Sequence, residues 1–144
     1  MNDGDLQRLV DRFYAKVRQD ELIGPLFNSA VADWSEHLEK LGAFWSSVML
    51  TSGRYKGNPM AAHLRHASAI EPHMFDRWLD LWSETAHEEL ATDHAEVAVA
   101  KAVRIAESLK LGLWSGSMRP STRPDVLKAR NAAIGRRQSD WRAR

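Results

Sequence analysis

A chain of 144 residues and 16.3 kDa is about one domain long, and 44% hydrophobic with 27% charged residues suits an ordinary globular core. No apolar run of about 18 residues and no charged-then-apolar leader occurs, so no membrane span or secretory signal is expected. The absence of cysteine excludes disulfides, thiolate zinc sites and iron–sulfur clusters, and makes a reducing, cytoplasmic location the default expectation. Charge is split along the chain. Residues 1–115 hold 12 Lys/Arg against 17 Asp/Glu, a net of −5, whereas residues 116–144 hold 8 against 2, a net of +6. Ser115-Gly116-Ser117 and Arg119-Pro120-Ser121-Thr122-Arg123-Pro124 have linker chemistry. The expected organisation is one folded unit over 1–115 and a basic, flexible extension over 116–144, solvated by composition rather than built to grip an anionic partner.

Helical periodicity runs through the folded part. Leu6, Leu9, Val10, Phe13, Tyr14 and Val17 form the apolar stripe of a first amphipathic helix, stopped by Gly24-Pro25. Leu26-Phe27-Asn28 reads as a short apolar turn. Asp33, three residues before Glu36, marks the start of a second helix with Leu38, Leu41, Trp45 and Val48 on one face. The stretch from Gly53 to Gly57 is a loop, and Asn58-Pro59 caps a very short helix through His63. Residues 64–71 read as irregular. Pro72 suits a first helical turn, after which Phe75, Trp78, Leu79, Trp82 and Ala86 give a third long helix. Thr92-Asp93 opens a fourth, lined by Ala98, Ala102, Ile105, Leu109 and Leu113. No stretch alternates with period two, so the fold class is all-α: four main helices with short linking pieces.

Polar groups on apolar stripes carry the functional signal. Tyr14 lies on the inner stripe of the first helix, where a phenol needs a partner for its O–H. His37 shares a face with Leu41, Phe44 and Val48, and Trp78 and Trp82 project from the third helix at i and i+4. Each alone has an ordinary packing explanation. His63 differs, because it ends a proline-started helix beside a loop, a good setting for a neutral imidazole that ligates a metal or haem. His66 competes for the same role. It also raises a zinc reading with His73 and Glu71, a weak one without a second tight ligand pair. No nucleophile elbow, P-loop or G-x-G-x-x-G occurs, so hydrolase, nucleotide-binding and dinucleotide-binding readings have no support.

The order of the parts resembles a known family. Phe13-Tyr14, the Gly24-Pro25-Leu26-Phe27-Asn28 corner, Glu36-His37 with Phe44-Trp45 following, Gly57-Asn58-Pro59-Met60-Ala61-Ala62-His63-Leu64, and Phe75-Asp76-Arg77-Trp78-Leu79-Asp80-Leu81-Trp82 resemble the group III truncated haemoglobins of bacteria. The likeness covers about residues 5–112, and the chain lacks the Gly-Gly pairs of the other truncated groups. Leu64-Arg65-His66-Ala67-Ser68-Ala69 is more polar than the leucine- and proline-rich segment the family carries there. The resemblance implies a two-over-two helical sandwich around one haem b (iron protoporphyrin IX). It implies His63 as the proximal iron ligand and metal-binding residue, and Tyr14, His37 and Trp78 on the distal side. Phe27 and Leu41 would pack on the porphyrin, with Phe44 and Trp45 behind the pocket.

Three functions follow for comparison. The first is reversible binding of oxygen and related small ligands (nitric oxide, carbon monoxide, cyanide, sulfide), with Tyr14 and Trp78 both donating hydrogen bonds to the ligand. The second is a haem enzyme of nitric-oxide dioxygenase or peroxidase-like type, served by a reductase. The third is a haem-free helical binding module whose basic tail grips nucleic acid or an acidic partner. No nucleic acid or membrane partner is expected.

Overall fold

The structure is a computed structural model that describes residues 1–114; the basic extension expected over 116–144 lies outside the described residues. Six helices follow one another: α1 (Asp3–Gln19), α2 (Gly24–Ala30), α3 (Trp34–Leu50), α4 (Pro59–Arg65), α5 (Pro72–Glu89) and α6 (Thr92–Trp114). Among the described residues there is no strand, and no helix is long and apolar enough to cross a membrane.

Local chemistry sets the boundaries. Asn2 Oδ1 accepts from the Asp5 backbone N–H while the Asn2 N–H donates to the Asp5 carboxylate, both at 2.9 Å, a reciprocal cap on α1. Asp20 ends that helix in extended backbone, and its carboxylate accepts from the N–H groups of Leu22 and Ile23, turning the chain into α2. Sequence reading makes Leu26-Phe27-Asn28 a turn, yet these residues sit within the seven-residue α2. Pro25, in the first turn, has a backbone angle already suited to a helix. The segment is too short for its periodicity to announce it. Asp33 caps α3 as expected, its carboxylate accepting from the Glu36 N–H at 3.2 Å. α4 runs two residues past His63 before residues 66–69 turn, closed by the His66 N–H donating to the His63 carbonyl at 3.0 Å.

The four long helices pack as two pairs, α1 with α3 and α5 with α6, joined mainly through α1 against α5. α2 rests on α1 and α4 on α6. On the outer edge of the α1–α5 seam, Lys16 reaches both Glu84 and Glu88 (2.7 and 2.8 Å), and Arg12 reaches Glu89 (2.9 Å). Two apolar clusters result. The larger gathers Leu9, Val10, Phe13 and Val17 of α1 with Leu41 and Trp45 of α3, Trp82 and Ala86 of α5, and the alanine stripe of α6. The smaller joins Leu64, Ala67 and Ile70 to Phe75, Ala106, Leu109 and Leu113.

Candidate functional site

Between the two clusters lies a cavity with about 960 Å³ of empty space, counting the part that opens to solvent. It is lined by residues of every helix. Tyr14, Phe27, His37, Leu41, Phe44, Trp45, His63 and Trp78 all reach it, so one space gathers every residue singled out above for a pocket. His66 reaches it as well.

Each polar group arrives there for a local reason. Tyr14 shares the buried face of α1 with Val10, Phe13 and Val17, and only 3% of its surface is exposed. Burial pushes its phenol well above the ordinary range, opposed by a hydrogen bond with the Trp78 side chain. His37, one turn into α3, is 4% exposed and lies edge-on to both Tyr14 and Trp34, at 6.3 and 5.6 Å between ring centroids. Burial, with the positive field of Lys40 and a smaller one from His63, pushes its pKa down to about 4. At neutral pH it is therefore an uncharged imidazole.

His63 comes from the end of α4. Its Nδ1 lies 2.7 Å from the Pro59 carbonyl, which can only accept, so Nδ1 carries the proton and Nε2 the lone pair. Burial lowers the His63 pKa, partly offset by that carbonyl, with His66 lowering it further. A neutral imidazole with its tautomer fixed from behind is the form that ligates a metal. The competing zinc arrangement does not assemble. His73 and Glu71 pair with each other on the exposed surface at 3.3 Å, and no group of three or more candidate ligands comes together among the described residues.

Sequence reasoning left several wall residues out of the site, notably Ile23, Val31, Ile70, Met74, Phe75, Ile105 and Leu109. Met74 and Phe75 precede Trp78 by four and three positions, so helical spacing from Trp78 points to them. Ile105 and Leu109 stand on the stripe already read for the last helix.

Residues 2–109 match the family of bacterial-like globins. The group 3 truncated hemoglobin of Campylobacter jejuni is 33% identical over 118 residues, 79% of this chain and 92% of that protein. A crystal structure of the group III truncated hemoglobin from Campylobacter jejuni aligns with a TM-score of 0.73 at 31% identity, covering 80% of this chain and 93% of the other. The chain belongs to the bacterial-like globins, within the group III truncated haemoglobins, and is thus a haem globin. Its all-α fold is the truncated globin fold. The cavity's residues fit the group that this family implies: walls of aliphatic and aromatic side chains for a flat apolar macrocycle, and one neutral imidazole for its metal.

Proposed function

We propose that the cavity binds haem b, with His63 Nε2 as the proximal ligand and Tyr14, His37 and Trp78 forming the distal side, and that the protein reversibly binds oxygen and related small ligands. The observation that carries this reading is the 2.7 Å contact of His63 Nδ1 with the Pro59 carbonyl on a cavity shared with those three residues. When bound, the haem supplies an iron centre able to take oxygen, nitric oxide, carbon monoxide or cyanide. The side chains do the rest. Phe27 and Leu41 pack on the macrocycle, with Phe44 and Trp45 behind it. The Tyr14 O–H and the Trp78 N–H donate to a polar ligand. His37, near the start of its helix, lies on the ligand's way in.

Extension 116–144 stands apart from the haem-binding unit on this reading, supported by a family match that ends at residue 109. A cytoplasmic setting and carriage of oxygen are part of the same proposal. The test is the absorption spectrum of the purified chain in ferric, ferrous and carbon monoxide forms. A Soret band with haem extractable by acid-acetone is expected, and a chain that stays colourless with haem supplied would contradict it.

A second reading, a peroxidase-like or nitric-oxide-dioxygenase enzyme at the same site, is favoured by one observation. His37 is an uncharged base in the cavity, able to accept a proton from a hydroperoxide. Stopped-flow mixing of the reduced protein in oxygenated buffer with nitric oxide, and of the ferric protein with hydrogen peroxide, separates the two chemistries. An electron donor, such as a reductase, would complete either cycle.

A further inference from the structure

Trp82 is completely buried and takes no part in lining the cavity. It stacks on Trp45 with 4.2 Å between ring centroids and 21° between planes, and lies nearly parallel to Trp78 at 6.2 Å and 5°. Trp45 and Trp78 both line the cavity. The neighbouring contacts follow the edge-to-face habit of packed rings: Phe13 meets Trp78 at 82° and Trp82 at 87°. Filling space requires only that habit, and leucine would serve as well. Three indoles in near-parallel order couple their π systems.

A second arm leaves the same wall. Trp78 and Tyr14 both meet Phe13 edge-on, at 5.8 and 4.6 Å between ring centroids, and Trp34 lies 6.0 Å beyond Tyr14. Trp34 is half-buried at the start of α3, under the Arg18 guanidinium at 4.7 Å. In a chain without cysteine, indole and phenol rings are among the side chains most readily oxidised by one electron. Electron transfer decays steeply with distance, so rings this close exchange electrons far faster than a single jump from cavity to surface.

We propose that Trp45, Trp82 and Trp78, continued by Tyr14 and Trp34, form a one-electron relay that carries oxidising equivalents from the cavity to the surface at Trp34. The proposal rests on the peroxidase-like reading of the site. A hydroperoxide is the oxidant: its O–O bond breaks, and two electrons with two protons from solvent give one alcohol and one water. The electrons pass singly through the rings, each ring oxidised and then re-reduced by the next. A one-electron reductant of the enediol or phenol class, arriving at Trp34, replaces them, two molecules for each hydroperoxide. The stacked Trp45–Trp82 pair shares the electron vacancy and holds it longest. The Arg18 charge makes a vacancy on Trp34 less stable and so a stronger oxidant toward the reductant.

The test uses full-length, haem-loaded protein with hydrogen peroxide as oxidant and ascorbate as reductant, comparing wild type, Trp82→Phe and Trp34→Phe. Freeze-quench electron paramagnetic resonance reads the radical, and peptide mapping locates oxidised side chains. Wild type is expected to show a tryptophan radical and oxidation at Trp34. In Trp82→Phe the radical is expected to change character and oxidation to shift toward the cavity residues Trp78 and Met74, with several-fold faster bleaching of the Soret band. Trp34→Phe alters a half-buried ring, which keeps the outer arm testable if Trp82→Phe folds poorly. It is expected to lose several-fold in ascorbate-dependent peroxide turnover with an unchanged haem spectrum. A wild type that consumes peroxide with damage confined to the cavity, and the same radical in all three proteins, overturns the relay alone. A haem-loaded wild type that does not consume peroxide overturns the peroxidase-like reading and the relay with it.

Discussion

Tyr14, Trp45 and Trp78, which line the cavity from α1, α3 and α5, are linked behind it through the rings of Phe13 and Trp82. The wall carrying His63 is a seven-residue helix that packs on α6. There the small cluster around Leu64 and Leu109 supplies the apolar contact, and Gly112 leaves the room that the Met60 side chain fills. The first wall is set by the polypeptide itself. The second is too short to be stable alone and depends on what it packs against, so a ligand to His63 contributes more to it than to the other. Removal of haem should therefore speed amide exchange across residues 59–71 while the centres of α1, α3 and α5 stay protected. Equal loss of protection in both walls would erase the contrast.

The ring mesh is where the largest change in stability should fall. Trp82 is fully buried and its indole N–H donates to the Ala98 carbonyl at 3.1 Å, so Trp82→Ala should destabilise the fold by about 3–5 kcal/mol in urea unfolding. A loss below about 1 kcal/mol, the level of an ordinary surface change, would show the mesh to be loosely packed.

Acid should act next. The folded chain holds His37 neutral down to about pH 4, whereas the unfolded chain takes up a proton near pH 6.5. Between those values the unfolded state binds the extra proton, so stability is full above about 6.5 and falls as pH drops toward 4. The loss is on the order of 3 kcal/mol in the haem-free protein. His37→Leu should flatten that limb, leaving the part due to His63, whose pKa is lowered in the same direction. An unchanged slope would mean that His37 is not held neutral by the fold.

On the proposed reading, Tyr14→Phe removes a donor to the bound ligand while keeping the ring. Hydrogen bonds to strongly polarised partners are worth about 1.5–3 kcal/mol, so oxygen release should quicken about 10- to 150-fold, with carbon monoxide release changing less. Trp78→Phe, which removes the second proposed distal donor, should also quicken oxygen release. Unchanged oxygen release in both variants would contradict the proposed donor pair. The smallest effect belongs to the outer seam. Lys16→Met breaks contacts with Glu84 and Glu88, but those carboxylates are more than half exposed, so the unfolding midpoint should barely move.

The contrast between the walls also explains what the sequence makes legible. Four helices of 17 to 23 residues show their period plainly, whereas α2 and α4, at seven residues each, depend on Pro25 and Pro59 for their signal. Proline marks a start and leaves the end open, which is why α2 reads as a turn and α4 runs two residues past His63. Tyr14, His37, His63 and Trp78 stand out because each is polar on an apolar stripe. Ile23, Val31 and Ile70 do not, since an apolar cavity wall and an apolar core use the same residues. Tyr14 and Trp78 meet at the cavity from positions some 64 residues apart in sequence, a distance that no spacing rule spans.

On the proposed reading, His63 alone among the cavity's histidines carries the haem, because the Pro59 carbonyl fixes its tautomer. The direct measurement is resonance Raman of the ferrous haem-loaded chain, following the iron–histidine stretch in wild type, His63→Gly, His66→Gly and His37→Leu. The stretch should be lost in His63→Gly, return in part when imidazole is added, and persist in the other two. A stretch that survives in His63→Gly and vanishes in His66→Gly would contradict the account.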